Sequence, residues 1–179
     1  MPAAPPPMTT GHNQAVIEIR RAGEDDWAAL REVRLAALAD APEAFSSTYA
    51  REVAFDEAAW RERLTRLGRA TFFAQVSDGG PVIGMVAGKR GPHGPADDRE
   101  LVSMWVNPSM RGQGVAGPLI DAVADWAREQ GARTLSLWVL GDNVPAQIAY
   151  ARAGFTPTGQ RQPISDGGRL SEACMIRPL

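Results

Sequence analysis

The sequence contains little cysteine and little histidine. Its 179 residues include one cysteine, Cys174, and two histidines, His12 and His93. A single cysteine excludes an internal disulfide and fits a reducing compartment, so we expect a cytoplasmic location and expect Cys174 to pack in the core. The histidines have no cysteine or acidic neighbour at metal-ligand spacing, so we expect no metal site.

The sequence also lacks a long hydrophobic run and an excess of one charge. No apolar run approaches the roughly 20 residues that cross a bilayer, and the net charge is −2. We therefore expect neither a membrane nor a nucleic-acid partner. Hydrophobic residues make up 44% and charged residues 22%, which is typical of one globular domain, predicted over residues 15–179. Residues 1–14 are rich in proline and alanine and are predicted to form a flexible leader.

What the sequence does contain is a regular series of strand and helix patterns. The apolar periodicity predicts the element order β-α-α-β-β-β-α-β-α-β-β. The strands are predicted at residues 15–20, 71–77, 82–89, 99–106, 134–140, 155–161 and 171–177. Helices are predicted from about residue 24 until Pro42, at 114–130 and at 144–153. A further helix, capped by Asp56, is predicted from the apolar stripe Trp60, Leu64 and Leu67, and the polar segment before it is predicted to be irregular.

A glycine-rich turn joins the strand ending at Val106 to the helix that follows. Its glycines allow a tight turn and a close approach of the backbone to a ligand. Its amides lie at a helix N-terminus, where unpaired N–H groups and the helix dipole favour an anion, and Arg111 adds a positive charge. The chemistry of this turn is that of a pyrophosphate-binding site.

The residues of this turn have two other interpretations. Gly112, Gly114 and Gly117 spell the GxGxxG pattern of dinucleotide-binding folds. That pattern requires its first glycine almost directly after the strand and several further parallel strands, whereas here residues 107–111 intervene and the chain after Asp142 is short. A merely tight strand-helix turn is the second alternative, and residues further along the chain disfavour it.

Two motifs together resemble the GNAT superfamily of acyl-CoA-dependent N-acyltransferases. The family's phosphate motif, Gln/Arg-x-x-Gly-x-Gly/Ala, is matched by Arg111, Gly114 and Ala116, and Asn107-Pro108 precedes it. The family's second motif follows the next strand and is matched by Asn143, Ala146, Tyr150, Gly154 and Phe155. Both motifs lie at the expected places in the element order.

The resemblance implies an α+β fold with a mixed, mostly antiparallel sheet in which strands 99–106 and 134–140 are parallel and splay apart. It also implies acetyl-CoA as the acyl donor. The pantetheine arm would bind the backbone of Met104, Trp105 and Val106, and Asn143 would contact the donor near the second strand. The pyrophosphate would bind the amides of Arg111, Gly112, Gln113, Gly114, Val115, Ala116 and Gly117.

Acyl transfer to an amine requires a base for the amine, a donor to the oxyanion and an acid for the departing thiolate. By the resemblance, a backbone amide near Val106 would serve the oxyanion. Tyr150 would be the acid, because a phenol with a pKa of about 10 is protonated at neutral pH. Glu100 is the candidate base, with Asp97 and Asp98 as alternatives. A water chain without one decisive base, or a merely solvated Glu100, remains open.

By the resemblance, the acceptor site would be built from the region between the first two helices, residues 40–55, and from the last hairpin loop, residues 162–170. Phe45, Ser47 and Trp138 are the candidate substrate contacts. The first segment also contains Glu43 and Glu52, and carboxylates beside aromatic rings would suit a cationic amine. A solvated polar loop is the alternative for this segment.

The sequence thus predicts an acetyl-CoA-dependent N-acetyltransferase that acetylates a primary amine of a small molecule by direct attack in a ternary complex. One alternative keeps the enzyme but gives it a protein N-terminus or lysine as acceptor. Another, of a different class, is a non-catalytic module that senses acyl-CoA. Many members of the superfamily form homodimers, so the resemblance also implies a homodimer, for which the sequence carries no interface signal.

Overall fold

The computed structural model describes residues 16–77, 79–91, 96–164 and 170–179. The predicted leader with His12, residue His93 and residues 165–169 of the predicted acceptor segment 162–170 lie outside these described residues. The described residues form seven strands: β1 (Ile17–Arg21), β2 (Arg69–Val76), β3 (Val82–Lys89), β4 (Asp98–Val106), β5 (Thr134–Leu140), β6 (Thr156–Pro163) and β7 (Ser171–Pro178). The five α-helices of this part of the chain are α1 (Trp27–Asp40), α2 (Tyr49–Val53), α3 (Glu57–Thr65), α4 (Ala116–Glu129) and α5 (Val144–Arg152).

The strands form one sheet in the order β1-β2-β3-β4-β5-β7-β6. All neighbours are antiparallel except β4 and β5, which run parallel. The β4–β5 pairing covers only residues 98–101 and 134–137, although both strands continue beyond that point. The predicted mixed sheet with one splayed parallel pair is therefore confirmed.

Helices cover both faces of the sheet and bury its apolar side chains. The first core cluster lies under α4 and includes Leu119, Val123 and Trp126. The second lies under α1 and α3 and includes Leu30, Trp60, Phe73 and Met85. Gly88 allows the close packing of α4, because a Cβ there would lie 2.4 Å from the Trp126 ring. None of the helices in the described part of the chain has the length and apolarity needed to cross a membrane.

Two sequence-based expectations about the helical face are wrong. The segment before Asp56 is not wholly irregular, because residues Tyr49–Val53 form α2, whose N-cap Thr48 accepts a hydrogen bond from the Arg51 amide at 3.3 Å. The apolar stripe of α3 does not extend to Leu67, because α3 ends at Thr65 and Leu67 is 97% exposed.

A buried ion network explains why α2 forms where it does. Glu52 on α2 is 0% exposed. Its carboxylate accepts hydrogen bonds from Arg34 of α1, at 3.0 Å from Nε and 2.9 Å from Nη2, and from Arg63 of α3, at 2.8 Å from Nη1. Burial alone would raise the pKa of Glu52, but the hydrogen bonds from the two arginines and the charge of Arg34 lower it to about 2. Three helices are therefore joined through one carboxylate.

This network predicts a specific dependence of stability on pH. The folded-state pKa of Glu52 lies below its unfolded value of about 4.3, so its contribution is complete above that pH and is lost as the pH falls toward 2. We expect Glu52→Gln to lower the free energy of unfolding by about 3–5 kcal/mol at neutral pH, because Arg34 loses its buried partner.

Urea unfolding of both proteins at a series of pH values provides the measurement. The difference between wild type and Glu52→Gln should narrow from pH 4 to pH 2, because the protonated wild-type carboxyl group is then as uncharged as the amide. The exposed Glu57→Gln is the control, with an expected change below about 1 kcal/mol. A difference that stays constant over this pH range would contradict the assignment.

Candidate active site

The separation of β4 from β5 opens a cleft of about 1300 Å³ on the sheet. Its walls include residues 101–106 of β4, residues 138–140 of β5, the N-terminal part of α4 and the length of α5. Beyond Leu101 the β5-facing edge of β4 has no strand partner among the described residues. Unpaired backbone groups at such an edge bind an extended ligand as an added strand would. The candidate pantetheine contacts Met104, Trp105 and Val106 all line this cleft.

A β-bulge interrupts β4 beside the cleft. Met85 of β3 pairs with Trp105 and Ala87 pairs with Val102, so that Ser103 and Met104 together oppose one residue of β3. Ser103 has φ 57°, a left-handed conformation that is uncommon outside glycine. Because of the extra residue, Leu101 belongs to the core under α4, whereas Trp105 belongs to the core under α1 and α3. In a regular strand the side chains of Leu101 and Trp105 would lie on the same face of the sheet. The bulge places them on opposite faces.

The glycine-rich turn fits a pyrophosphate group. Gly112 and Gly114 have φ values of 78° and 81°, and a Cβ at either position would meet no atom within 4 Å. No backbone carbonyl of the described residues accepts a hydrogen bond from their amides. The N-cap of α4, Val115, supplies no side-chain acceptor to the first turn. Free amides at a helix N-terminus on the cleft wall are the arrangement that binds phosphate oxygens.

Gln113 differs from the other residues predicted to form this turn. Its side chain donates to the Ser109 carbonyl at 2.9 Å and its amide to the Met110 carbonyl at 3.4 Å. It does not line the cleft, in contrast to Arg111, Gly112, Gly114, Val115, Ala116 and Gly117. The contact of Gln113 with a donor phosphate stays a prediction.

Arg111 is held by the end of α1 and by β4. Its guanidinium donates to the Asp40 carboxylate and, through Nε, to the Val106 carbonyl at 3.0 Å. Asp40 also accepts from the Trp105 indole Nε1 at 2.9 Å. The hydrogen bond from Trp105, supported by Arg111, lowers the pKa of Asp40 although partial burial opposes the shift. Asp40 thus ties the glycine-rich turn to the strand that forms the cleft.

The residues of the second motif lie on the opposite wall. Asn143 caps α5, and its Oδ1 accepts from the Ala146 amide at 3.1 Å. Tyr150 lines the cleft from α5 and packs edge-to-face on Phe155, with ring centroids 5.8 Å apart. Tyr150 is 9% exposed, and burial raises the pKa of its phenol above the usual value. The hydroxyl is therefore protonated at neutral pH, as an acid requires.

A second cavity of about 410 Å³ adjoins the cleft. Its wall includes all three candidate substrate contacts, Phe45, Ser47 and Trp138, together with the candidate base Glu100. Phe45 and Trp138 line both cavities. Glu100 does not line the larger cleft, and its Oε2 lies 3.3 Å from the Lys89 ammonium.

The two alternative bases have structural partners. Asp98 accepts hydrogen bonds from Thr134 at 2.9 Å and Ser136 at 2.8 Å, and Asp97 pairs with Arg133 at 3.2 Å. Neither aspartate lines the smaller cavity, so Glu100 is the better placed of the three carboxylates.

The expected character of the acceptor wall needs correction. The sequence suggested that the carboxylates of residues 40–55 would hold a cationic amine. Glu52 is instead buried and bound by Arg34 and Arg63, and arginines dominate the wall. A signal for Arg34 was present, since it lies four residues after the buried Leu30 and hence on the buried face of α1.

A comparison with protein families supports the assignment that this geometry suggests. The family model described as the acetyltransferase (GNAT) family matches residues 30–155. The chain belongs to this family. The matched region contains both motifs and the splayed strands.

Individual relatives agree with the GNAT assignment. A mycothiol acetyltransferase of Brachybacterium faecium is 30% identical over 165 residues, which cover 89% of this chain and 45% of that protein. Among solved structures, a ribosomal-protein-alanine N-acetyltransferase from Brucella melitensis is 26% identical, with a TM-score of 0.72 and coverage of 90% of this chain and 99% of that chain. The yncA protein of Salmonella typhimurium, solved with acetyl-CoA, is 24% identical, with a TM-score of 0.73 and coverage of 92% and 94%.

The chain spans less than half of the length of the curated relatives that it matches. With a family match over most of the chain, the GNAT fold and family are established, and the activity of the whole protein is a matter for proposal.

Removal of the Asp40 side chain is expected to lower the free energy of unfolding. Asp40→Ala leaves the largely buried Trp105 indole N–H without its acceptor, and we expect a loss of about 1–3 kcal/mol in the free energy of unfolding. Asp121→Ala is the control, because it removes an exposed pair with Arg177 and should cost less than about 1 kcal/mol. Urea unfolding followed by tryptophan fluorescence provides the measurement, and equal losses in the two variants would contradict this role of Asp40.

Proposed function

We propose that this protein is an acetyl-CoA-dependent N-acetyltransferase that acts on a primary amine of a small molecule. The observation that carries the proposal is the combination of an unpaired β4 edge with free amides at the start of α4, on one cleft. A second cavity, lined by a carboxylate and aromatic side chains, adjoins that cleft. Donor and acceptor would therefore be bound together, which favours direct transfer in a ternary complex.

Different residues of the cleft would bind different parts of the donor. Backbone groups of Met104, Trp105 and Val106 would hydrogen-bond the pantetheine arm, and the amides of the glycine-rich turn would hold the pyrophosphate. Asn143 would contact the donor from the start of α5. When bound, acetyl-CoA supplies an acyl group activated as a thioester.

The chemistry requires three further groups. Glu100, directly or through water, would accept a proton from the acceptor ammonium, so that the free amine attacks the thioester carbonyl. A backbone amide near Val106 would stabilise the negative charge on the carbonyl oxygen. Tyr150 would donate its proton to the departing sulfur.

One alternative acceptor has a specific observation in its favour. The related structure from Brucella melitensis is named for a ribosomal-protein alanine, so a protein α-amine is the second candidate. A cavity of about 410 Å³ suits a small molecule better than a folded chain end. A homodimer and a cytoplasmic location remain predictions, the first from the family resemblance and the second from the single cysteine.

The donor site is tested by matched glycine variants. Gly114→Val places a β-branched side chain at φ 81° in the glycine-rich turn, and we expect acetyl-CoA binding about tenfold weaker or worse. Gly131→Val is the control, because Gly131 has φ 73° and an equally open Cβ position but lies outside the cleft. It should lose stability and keep its affinity. Calorimetric titration provides the measurement, and wild-type protein without affinity for acetyl-CoA or CoA would overturn the proposed function.

The acid is tested by Tyr150→Phe, which keeps the packing on Phe155 and removes only the hydroxyl. We expect kcat to fall by about 10²-fold while acetyl-CoA affinity is unchanged. Release of the CoA thiol with a panel of small amines and peptides provides the measurement. Full turnover by the variant would remove the acid role alone. Binding of acetyl-CoA without transfer to any amine or peptide would favour the sensor module over the enzyme.

A further inference from the structure

The smaller cavity carries more positive than negative charge. Five cationic side chains line it, Arg34, Arg63, Arg66, Arg69 and Lys89, against three carboxylates, Glu52, Glu100 and Glu172. The described wall therefore has an excess of two positive charges, although the whole chain has a net charge of −2. A concentration of positive charge in a concave site of an acidic protein attracts anions.

Two arginines of the wall take no part in the ion pairs of the described residues. Glu52 accepts from Arg34 and Arg63, and Glu100 pairs with Lys89. The third carboxylate, Glu172, accepts a hydrogen bond from the side-chain amide of Gln162 at 3.1 Å. Within the described residues, neither Arg66 nor Arg69 has a carboxylate within 4.0 Å.

Two guanidinium nitrogens at this wall also lack an acceptor. Arg34 Nη1 and Arg69 Nε are buried, and no described atom accepts a hydrogen bond from either. The Arg34 side chain is only 9% exposed, and its guanidinium lies over the Phe45 ring at 4.5 Å. Buried charged donors without an acceptor are costly and rare in native proteins. An oxyanion in the cavity would supply the missing acceptors.

The sheet register places like charges side by side. Arg69 of β2 is directly opposite Lys89 of β3, and Lys89 is opposite Glu100 of β4. Like charges in directly opposite positions destabilise a sheet. Burial lowers the pKa of Arg69, and the charges of Arg63, Arg34 and Arg66 lower it further, with only Glu52 acting in the other direction. Carboxylates of the described residues therefore neutralise only part of the positive charge of Arg69 and Lys89.

We infer that the acceptor of this transferase carries an oxyanion, a carboxylate or a phosphonate, in addition to its amine, and that Arg69 and Arg66 bind that oxyanion, with Arg34 beside them. The inference rests on the proposed function, because it names the class of acceptor for the same site. Amino acids and aminophosphonates are such compounds.

The dimensions of the site agree with one small molecule bound in this way. Arg69 and Glu100 lie two strand spacings apart, about 10 Å, and the long arginine side chain shortens the gap. The cavity shares Phe45, Ser103 and Trp138 with the donor cleft. An acceptor can thus present its amine to the cleft near β4 while its oxyanion lies toward β2.

The test compares acceptors that differ only in the oxyanion. Each α-amino acid, together with β-alanine, is assayed against its carboxamide, and aminomethylphosphonate against its diethyl ester, with CoA thiol release as the readout. We expect kcat/KM at least about tenfold higher for the acidic member of a pair, mainly through KM. Comparison of the carboxylate and phosphonate series identifies the preferred oxyanion. Equal or better turnover of the neutral members would overturn the inference and leave the proposed function standing.

Arginine variants test which side chains bind the oxyanion of the acceptor. Arg69→Gln should lose about tenfold in kcat/KM for the acidic acceptors and less than about twofold for the neutral ones. Arg128→Gln is the control, since Arg128 pairs with Asp125 on α4 and lines neither cavity. The thermal midpoint of Arg69→Gln should not fall, because the substitution removes an uncompensated charge. If it does fall, the exposed Arg66→Gln replaces it in the same assay, and unchanged selectivity in that variant would contradict the proposal.

A binding measurement separates this inference from the proposed function. Inorganic phosphate and methylphosphonate are titrated calorimetrically with CoA at saturation, so that the pyrophosphate site is filled. Binding by wild type that is lost in Arg69→Gln supports the oxyanion site even if no amine in the panel is acetylated. Absence of binding, or equal binding by the two proteins, together with no preference for acidic acceptors, would overturn it.

Discussion

The end of hydrogen bonding between β4 and β5 is the feature on which the candidate site depends. Up to Leu101 the two strands are paired as parallel neighbours, and beyond it they are no longer paired with each other. The resulting gap leaves a row of backbone donors and acceptors without strand partners among the described residues, in a sheet that helices cover on both faces. The glycine-rich turn and α5 take their positions at the two sides of that gap. Without the separation, these elements would flank a closed sheet with no room for a ligand.

A second constraint governs the face of the sheet that carries the smaller cavity. Glu52 gathers Arg34 and Arg63 and thereby fixes three helices against one another. The same arrangement places guanidinium groups around the cavity in greater number than carboxylates can neutralise. Helix packing and cavity charge are thus consequences of one set of side chains, because an arginine that stabilises α2 also forms part of the wall.

Much of the fold was predictable because it depends on local periodicity. The strand and helix patterns predicted the element order apart from α2, and the two motifs identified the family and with it the splayed pair; the family and the splayed pair are confirmed. The helix α2 and the end of α3 before Leu67 were not predictable in this way. The position of α2 depends on contacts between residues far apart in sequence, such as Arg34 with Glu52, which no periodic pattern reports. The same holds for the charge of the acceptor wall. The roles of Tyr150, Glu100 and the donor-binding residues remain predictions.

The bulge at Ser103 has a consequence for how such a protein can change. Residues 100–103 of β4 line the acceptor cavity, whereas residues 104–106 line only the cleft, where the edge of β4 lies beyond its last pairing with β5. Main-chain contacts persist through most substitutions, whereas a cavity built from side chains alters with each one. One half of the strand can therefore diversify its chemistry under selection or in a mutagenesis library while the other half retains the same donor. A single strand would in this way combine a variable region and a constant one.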